Sequence, residues 1–246
     1  MYGFGIGGGH WGGAFCDQLT IPYADAMLSP LPDVLDPVAA ASVADNVCDG
    51  YRHVAPYLPD LLQHDPCAPV LIVAGVTRRP VVSPSIPLYA GLAARALGAR
   101  TIYFADTRSR VRDHAERLGL VPLNPAQVRS LRPAPLVVEA SAHPRGLTLA
   151  LSNTAPDGVC SSAGTLHTRA RLPVGVMYAR NVTLHVARTH VRTLIPPVLE
   201  LIADGRLRPQ AVTTTVAPLD DAPSVLYEHV IGDGIKTILT ASADSV

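Results

Sequence analysis

At 246 residues the chain has room for one large domain or two modest ones, and 48% apolar against 16% charged residues makes it core-rich. Twenty basic residues balance twenty acidic ones, which argues against nucleic acid as the main partner because phosphate binding needs a basic face. No apolar run reaches the length of a membrane span, and the opening Met1-Tyr2-Gly3-Phe4-Gly5 lacks the basic and apolar segments of a signal peptide, so a cytoplasmic protein without a membrane partner is expected.

Nearly all the basic residues are arginine, with Lys236 the single lysine, a bias read as coding preference. Cys16, Cys48, Cys67 and Cys160 form no CxxC pair, and four free thiols are expected rather than a closed zinc site.

Residues 1–14 hold seven glycines and read as loop. Two short strand candidates follow, Gln18–Pro22 and Ala26–Pro32. At Asp36-Pro37 an N-cap and a first-position proline open a helix to about Val54, with Ala40, Val43, Val47, Tyr51 and Val54 on one apolar stripe.

From Pro69 strands and helices alternate. Val70–Gly75 is a buried strand closed by glycine, and Ile86–Leu97 is a helix ended by Gly98. Thr101–Ala105 is a second strand ending at Asp106, followed by a helix over about Ser109–Leu118 with Gly119 beyond. Leu136–Ala140, Gly158–Ser162 and Val182–Val186 read as further strands, Gly146–Leu151 as part of a helix, and Pro197–Ala203 as a helix closed by Gly205. In the tail, Val212–Val216 and Ile235–Leu239 read as strands around a helix at Ala222–Val230. Short apolar strands alternating with helices imply a parallel α/β sheet with right-handed crossovers.

Such a unit predicts a glycine turn after the first strand, a helix N-terminus facing a diphosphate, and an acidic residue closing the second strand to accept hydrogen bonds from the adenosine ribose. The chain supplies Gly75, the helix start Ser85-Ile86, and Asp106 in that order. A full GxGxxG is missing, and Pro87 removes one N–H near the helix start. Arg78 and Arg79 are either phosphate ligands or solvated loop charges. Asp106 favours NAD, although Arg108 could reach the 2′-phosphate of NADP; the plain alternative for Asp106 is an acid that caps a helix.

Several strings in order resemble the zinc-containing, alcohol dehydrogenase-like members of the medium-chain dehydrogenase/reductase family. They are Trp11-Gly12-Gly13-Ala14-Phe15, Ile21-Pro22-Tyr23-Ala24-Asp25, Leu31-Pro32-Asp33, Asp36-Pro37-Val38-Ala39-Ala40-Ala41 and Ser83-Pro84-Ser85-Ile86-Pro87-Leu88-Tyr89-Ala90. Later ones are Val138-Glu139-Ala140-Ser141, Pro156-Asp157-Gly158-Val159-Cys160 and Leu199-Glu200-Leu201-Ile202-Ala203-Asp204-Gly205. The resemblance implies an α/β fold: a Rossmann-like parallel sheet flanked by helices, plus a partial GroES-like β domain. It implies that residues 1–52 are the rear of the catalytic domain with a linking helix, 53–205 the nucleotide-binding domain, and 206–246 a return to the catalytic domain. It further implies NAD- or NADP-linked interconversion of a small alcohol and its carbonyl compound, and a homo-oligomer joined through the strand near Val182–Val186.

By that match Asp45 falls on the family's third catalytic zinc ligand, while the first two ligands, a cysteine and a histidine, lie upstream of the region matching Tyr2. Asp45 sits about 200° around the helix from Val43 and Val47, away from the apolar stripe. Cys48, Asp49 and His53 lie nearby, Asp49 and His53 as an i,i+4 pair; Cys48 reads better as a packed thiol, Cys16 as a small core residue and His10 as a surface histidine. No catalytic residue is assigned. Two functions follow: an oxidoreductase of this type, or a non-catalytic nucleotide-binding or interaction protein on the same scaffold. A β domain lacking its front exposes apolar surface and strand edges, so poor solubility or dependence on association is expected; a monodisperse, cooperatively melting monomer would contradict it.

Overall fold

The structure, a computed structural model, describes residues 13–16, 18–77, 82–163, 170–232 and 234–241. The sequence reading of residues 1–12, His10 included, and the phosphate role of Arg78 and Arg79 fall outside them. The chain divides into two compact units, one of residues 33–212 and one of residues 1–32 with 213–246.

The larger unit is built on a six-stranded parallel sheet. Its strands are β1 (Val70–Val73), β2 (Ile102–Ala105), β3 (Val121–Leu123), β4 (Ala134–Glu139), β5 (Thr154–Ser162) and β6 (Thr183–Val186), in the spatial order β3-β2-β1-β4-β5-β6. That order is Rossmann-like: β1 is central, and the chain crosses to its other side between β3 and β4. All four residues of β1 are buried, as expected of a parallel strand covered on both faces. Leu71, Val73, Val137, Leu147, Leu151 and Cys160 pack into one core cluster.

Helices α5 (Ser85–Ala96), α6 (Ser109–Arg117), α7 (Pro144–Ser152), α8 (Val174–Arg180) and α9 (Val191–Ala203) connect the strands and follow the last one. Gly98 and Gly119, at φ of 106° and 76°, close α5 and α6 in the left-handed region that glycine enters without a Cβ penalty. Before β1 come α2 (Pro37–Ala40), a π-helical turn (Val43–Val47), α3 (Cys48–Arg52) and α4 (Leu58–His64). Asp36 caps α2 as expected, its carboxylate accepting the Val38 N–H at 3.0 Å.

The periodicity predicted one helix to Val54. It is instead broken at Ala41-Ser42 and widened beyond, where the Val47 N–H donates to Ser42 O, five residues back. The smaller unit contains α1 (Ala24–Met27), β7 (Thr215–Pro218), α10 (Ala222–Ile231) and β8 (Thr237–Thr240), with β7 and β8 paired in parallel. Neither predicted strand at Gln18–Pro22 or Ala26–Pro32 forms: Ala24–Met27 is a helical turn and the residues around it are irregular. Alternation alone cannot make a strand without a neighbour to receive its hydrogen bonds.

Three further differences have local causes. β3 was hidden by Pro122, which an edge strand tolerates because one side of it is unpaired. β5 starts four residues early, through a register irregularity opposite Ala134 and Leu136, with Asp157 at φ 59°. α9 runs from Val191 through Pro196 and Pro197 instead of starting at the second proline. The carbonyls that lose their partners belong to the exposed Arg192 and Thr193, where water can reach them. Among the described residues no helix is long and apolar enough to cross a membrane.

Candidate functional site

In an open parallel sheet the crevice lies outside the carboxyl ends of the strands, where the strand order reverses. Here that point is between β1 and β4, with Val73 in register with Glu139. Gly75 follows β1, Asp106 follows β2, and Glu139 ends β4.

Asp106 is fully buried and faces Gly75. A Cβ placed on Gly75 would lie 2.6 Å from Asp106 Oδ2, so the glycine is required by the carboxylate resting against it. Thr107 N–H donates to Gly75 O at 3.1 Å, which ties the two loops together. The carboxylate is already engaged by one residue: Oδ1 accepts the Arg108 backbone N–H at 2.8 Å and Nε at 3.0 Å, and Oδ2 accepts Nη2 at 2.8 Å. Arg108 is therefore a bidentate partner of Asp106 rather than an independent cation. A ribose diol would take the place of that fork, and Arg108 would swing outward. The helix-cap alternative is met only in part, since Arg108 precedes α6 and α6 receives no side-chain cap.

Ser85 and Ile86 form the first turn of α5. The Ser85 N–H donates to Ser83 Oγ at 3.3 Å, while among the described residues no acceptor meets the Ile86 N–H. Pro87 brings no N–H to this end, so the helix presents fewer donors than an unbroken first turn would. Gly75 and the buried carboxylate beside it are the groups at this end of the sheet that could hold a dinucleotide.

The described residues do not fit zinc. Asp45 lies exposed on the π-helical turn, hydrogen-bonded by Asn46 Nδ2 at 2.9 Å, and among the described residues no three His, Cys, Asp or Glu side chains are grouped to hold a metal ion. Its neighbour Cys48 is buried; burial, then the carboxylates of Asp45 and Asp49, push its pKa up to about 12, so it keeps its proton. Cys160 is likewise buried in the core, and burial drives its pKa up. Cys16, expected as a small core residue, is exposed.

Two polar clusters escaped the sequence reading. Glu139 is completely buried and accepts three hydrogen bonds: Ser141 N–H at 2.9 Å and Ser141 Oγ at 2.6 Å on Oε1, and Ser162 Oγ at 2.7 Å on Oε2. An acid in the apolar run Leu136-Val137-Val138 was its signal. The second cluster turns the i,i+4 pair on α3 inward. His53 is fully buried, with Nδ1 2.7 Å from Ser161 Oγ of β5 and Nε2 3.6 Å from Asp49 Oδ1, an ion-pair distance rather than a hydrogen bond. Arg52 Nε reaches Asp49 Oδ1 and Thr189 Oγ1, its Nη2 reaches Ala187 O at 2.8 Å, and Thr189 Oγ1 also donates to Asp49. The cluster pins α3 to the segment after β6.

It also sets an acid response. Burial lowers the His53 pKa below its usual 6.5, with Arg52 and His185 adding to that and Asp49 opposing it. For Asp49, burial would raise the pKa, but the close approach of His53, the hydrogen bond from Thr189, and the charge and hydrogen bond of Arg52 outweigh it and hold it at about 2, below the usual 3.8. Both folded-state values are depressed. The stability from His53 is thus present above pH 6.5 and is lost as pH falls below it; that from Asp49 is lost between 3.8 and about 2. We expect the melting temperature to fall from pH 7 to pH 5, and His53→Asn, less stable at pH 7, to show a flatter slope over that range. Equal slopes in the two proteins would refute the assignment.

No family model matches the chain. It is 27% identical over 225 residues to a probable zinc-binding alcohol dehydrogenase of Mycobacterium tuberculosis, covering 88% of this chain and 55% of that protein. The chain thus spans about half the length of the curated relative it matches. Among solved structures it is similar to an alcohol dehydrogenase from Thermus sp. ATN1, with 27% identity and a TM-score of 0.85 over 98% of this chain and 70% of the other. A structure from Escherichia coli described as a short chain alcohol dehydrogenase with NADH shares the fold, with a TM-score of 0.68 at 13% identity over 86% of this chain and 62% of the other. The similarity to zinc-type alcohol dehydrogenases therefore extends over most of this chain.

Proposed function

We propose that the chain is the nucleotide-binding part, with a portion of the catalytic domain, of an NAD-dependent oxidoreductase that interconverts an alcohol and an aldehyde or ketone. The observation that carries this reading is the fully buried Asp106 closing β2 against Gly75, beside the reversal of strand order. The similar proteins of Mycobacterium tuberculosis and Thermus, both described as alcohol dehydrogenases, support the reaction class.

The bound nicotinamide would supply the hydride acceptor for the alcohol carbon. This chain's residues would do the holding. Asp106 accepts the ribose hydroxyls, with Gly75 allowing the close approach, and the first turn of α5 at Ser85 and Ile86 faces the diphosphate. The Asp106 carboxylate would repel the 2′-phosphate of NADP and Arg108, displaced from it, would offset this only in part, so NADP is accepted more weakly than NAD. No step is assigned to zinc, because among the described residues no three His, Cys, Asp or Glu side chains are grouped to hold a metal ion.

Fluorescence titration with NADH tests the reading. Asp106→Asn keeps the shape but loses the charge, and should weaken NADH about 10-fold or more, in line with hydrogen bonds to charged groups at about 1.5–3 kcal/mol. Wild type that does not bind NADH, or an Asn variant that binds equally well, removes the proposal. The non-catalytic alternative gives the same titration and differs in showing no alcohol-dependent NAD reduction. Association of two copies along the open edge of β6 belongs to the same reading; Val186 is 65% exposed there. Sedimentation showing only monomer at high concentration would remove it.

A further inference from the structure

The charges of this neutral chain are segregated. Residues 117–199 hold nine arginines and two acidic residues, Glu139 and Asp157. Neither acid lines the groove described next: Glu139 is buried among serine donors, and Asp157, which accepts the Asn181 amide at 2.7 Å, is not among its lining residues.

Along α7 this excess opens into a groove of about 740 Å³, lined by Arg129, Arg145 and Arg171 together with Thr148, Ser152 and Asn153. Among the described residues no carboxylate lines it. All three arginines are exposed, and none of their guanidiniums makes a hydrogen bond or ion pair among the described residues. The hydroxyl of Thr148 donates to Pro144 O and one N–H of the Asn153 amide to Leu149 O, which leaves the arginines, Ser152 and the second Asn153 N–H as side-chain donors in the groove lining. The groove shares no lining residue with the crevice formed by Gly75 and Asp106.

Three like charges around one concavity repel one another unless an anion is shared between them. Guanidinium forks match phosphate oxygens bidentately, and the volume suits a small molecule rather than a single inorganic ion. We propose that this groove binds a small polyanion carrying two or more phosphoryl groups. The site is independent of the dinucleotide reading and survives its failure.

Calorimetric titration with inorganic pyrophosphate and tripolyphosphate at low salt, with and without saturating NADH, provides the test. Binding is expected in both cases, weakening as salt screens the charges. Arg145→Gln and Arg171→Gln should each reduce pyrophosphate affinity about 10-fold, the scale of one lost charged hydrogen-bond pair, and the double variant about 100-fold. Arg145→Lys should recover part of the loss, since the ammonium keeps the charge but not the fork. These side chains are exposed, so unchanged melting of each variant confirms an intact fold. Absence of binding at millimolar pyrophosphate, affinity unaffected by the glutamine substitutions, or competition by NADH would each overturn the proposal. The last two would assign the anion to a different place.

Discussion

Glu139→Ala is expected to lose about 3–5 kcal/mol of stability, from buried donors left without an acceptor at about 1–3 kcal/mol each and from the cavity it opens. The alanine strands two serine hydroxyls and one backbone N–H that now converge on the carboxylate, and it leaves a void in a region with little space. That crowding is shown by Gly146, where a Cβ would lie 1.8 Å from Ser141 Oγ. Glu139→Gln should cost only about 1 kcal/mol, the scale of a single hydrogen bond. Its amide oxygen can keep both Ser141 bonds, and the Ser162 hydroxyl can rotate to accept from the new NH₂. Denaturant midpoints at unchanged slope measure the difference. If alanine and glutamine variants unfold at the same midpoint, the three hydrogen bonds do not anchor the end of β4.

Gly50→Ala should destabilise the protein by about 3 kcal/mol, the upper range for overpacking, and lower its melting temperature by roughly 6–12 °C. A Cβ at Gly50 would lie 2.6 Å from Ala90 N and 2.8 Å from Tyr89 C, both backbone atoms of α5. Neither can rotate away, so α3 must part from α5. Alanine in a helix is otherwise favoured over glycine by about 1 kcal/mol, and here the clash outweighs that gain. Gly175 in α8 is the internal comparison, because nothing lies within 4 Å of its added Cβ. Gly175→Ala should be neutral or stabilising by up to about 1 kcal/mol. Matching melting curves for Gly50→Ala and wild type would show that α3 and α5 are not held at this separation. Since Ser85 and Ile86 begin α5, the same variant should weaken NADH if the proposed site is correct.

The residues alone disclosed most of the parallel sheet. Buried strands such as Val70–Val73 are near-continuous apolar runs bounded by glycine, a local signal that owes nothing to neighbours. The order of Gly75, Ser85 and Asp106 was legible for the same reason, because each follows directly from a strand end or a helix start. The strands expected near residues 18–32 failed because a strand exists only through its partner, and alternation in sequence does not supply one.

Side-chain partnerships were decided by tertiary structure. Arg108 could be read as a free cation near a phosphate, but it spends itself on Asp106. His53 and Asp49 were visible as an i,i+4 pair, yet the serine and threonine that complete their cluster are more than 100 residues away. The groove beside α7 likewise draws its arginines from three separate segments. Periodicity along one chain determines which face is apolar; which polar groups share a site depends on where the sheet's crossovers bring distant segments together.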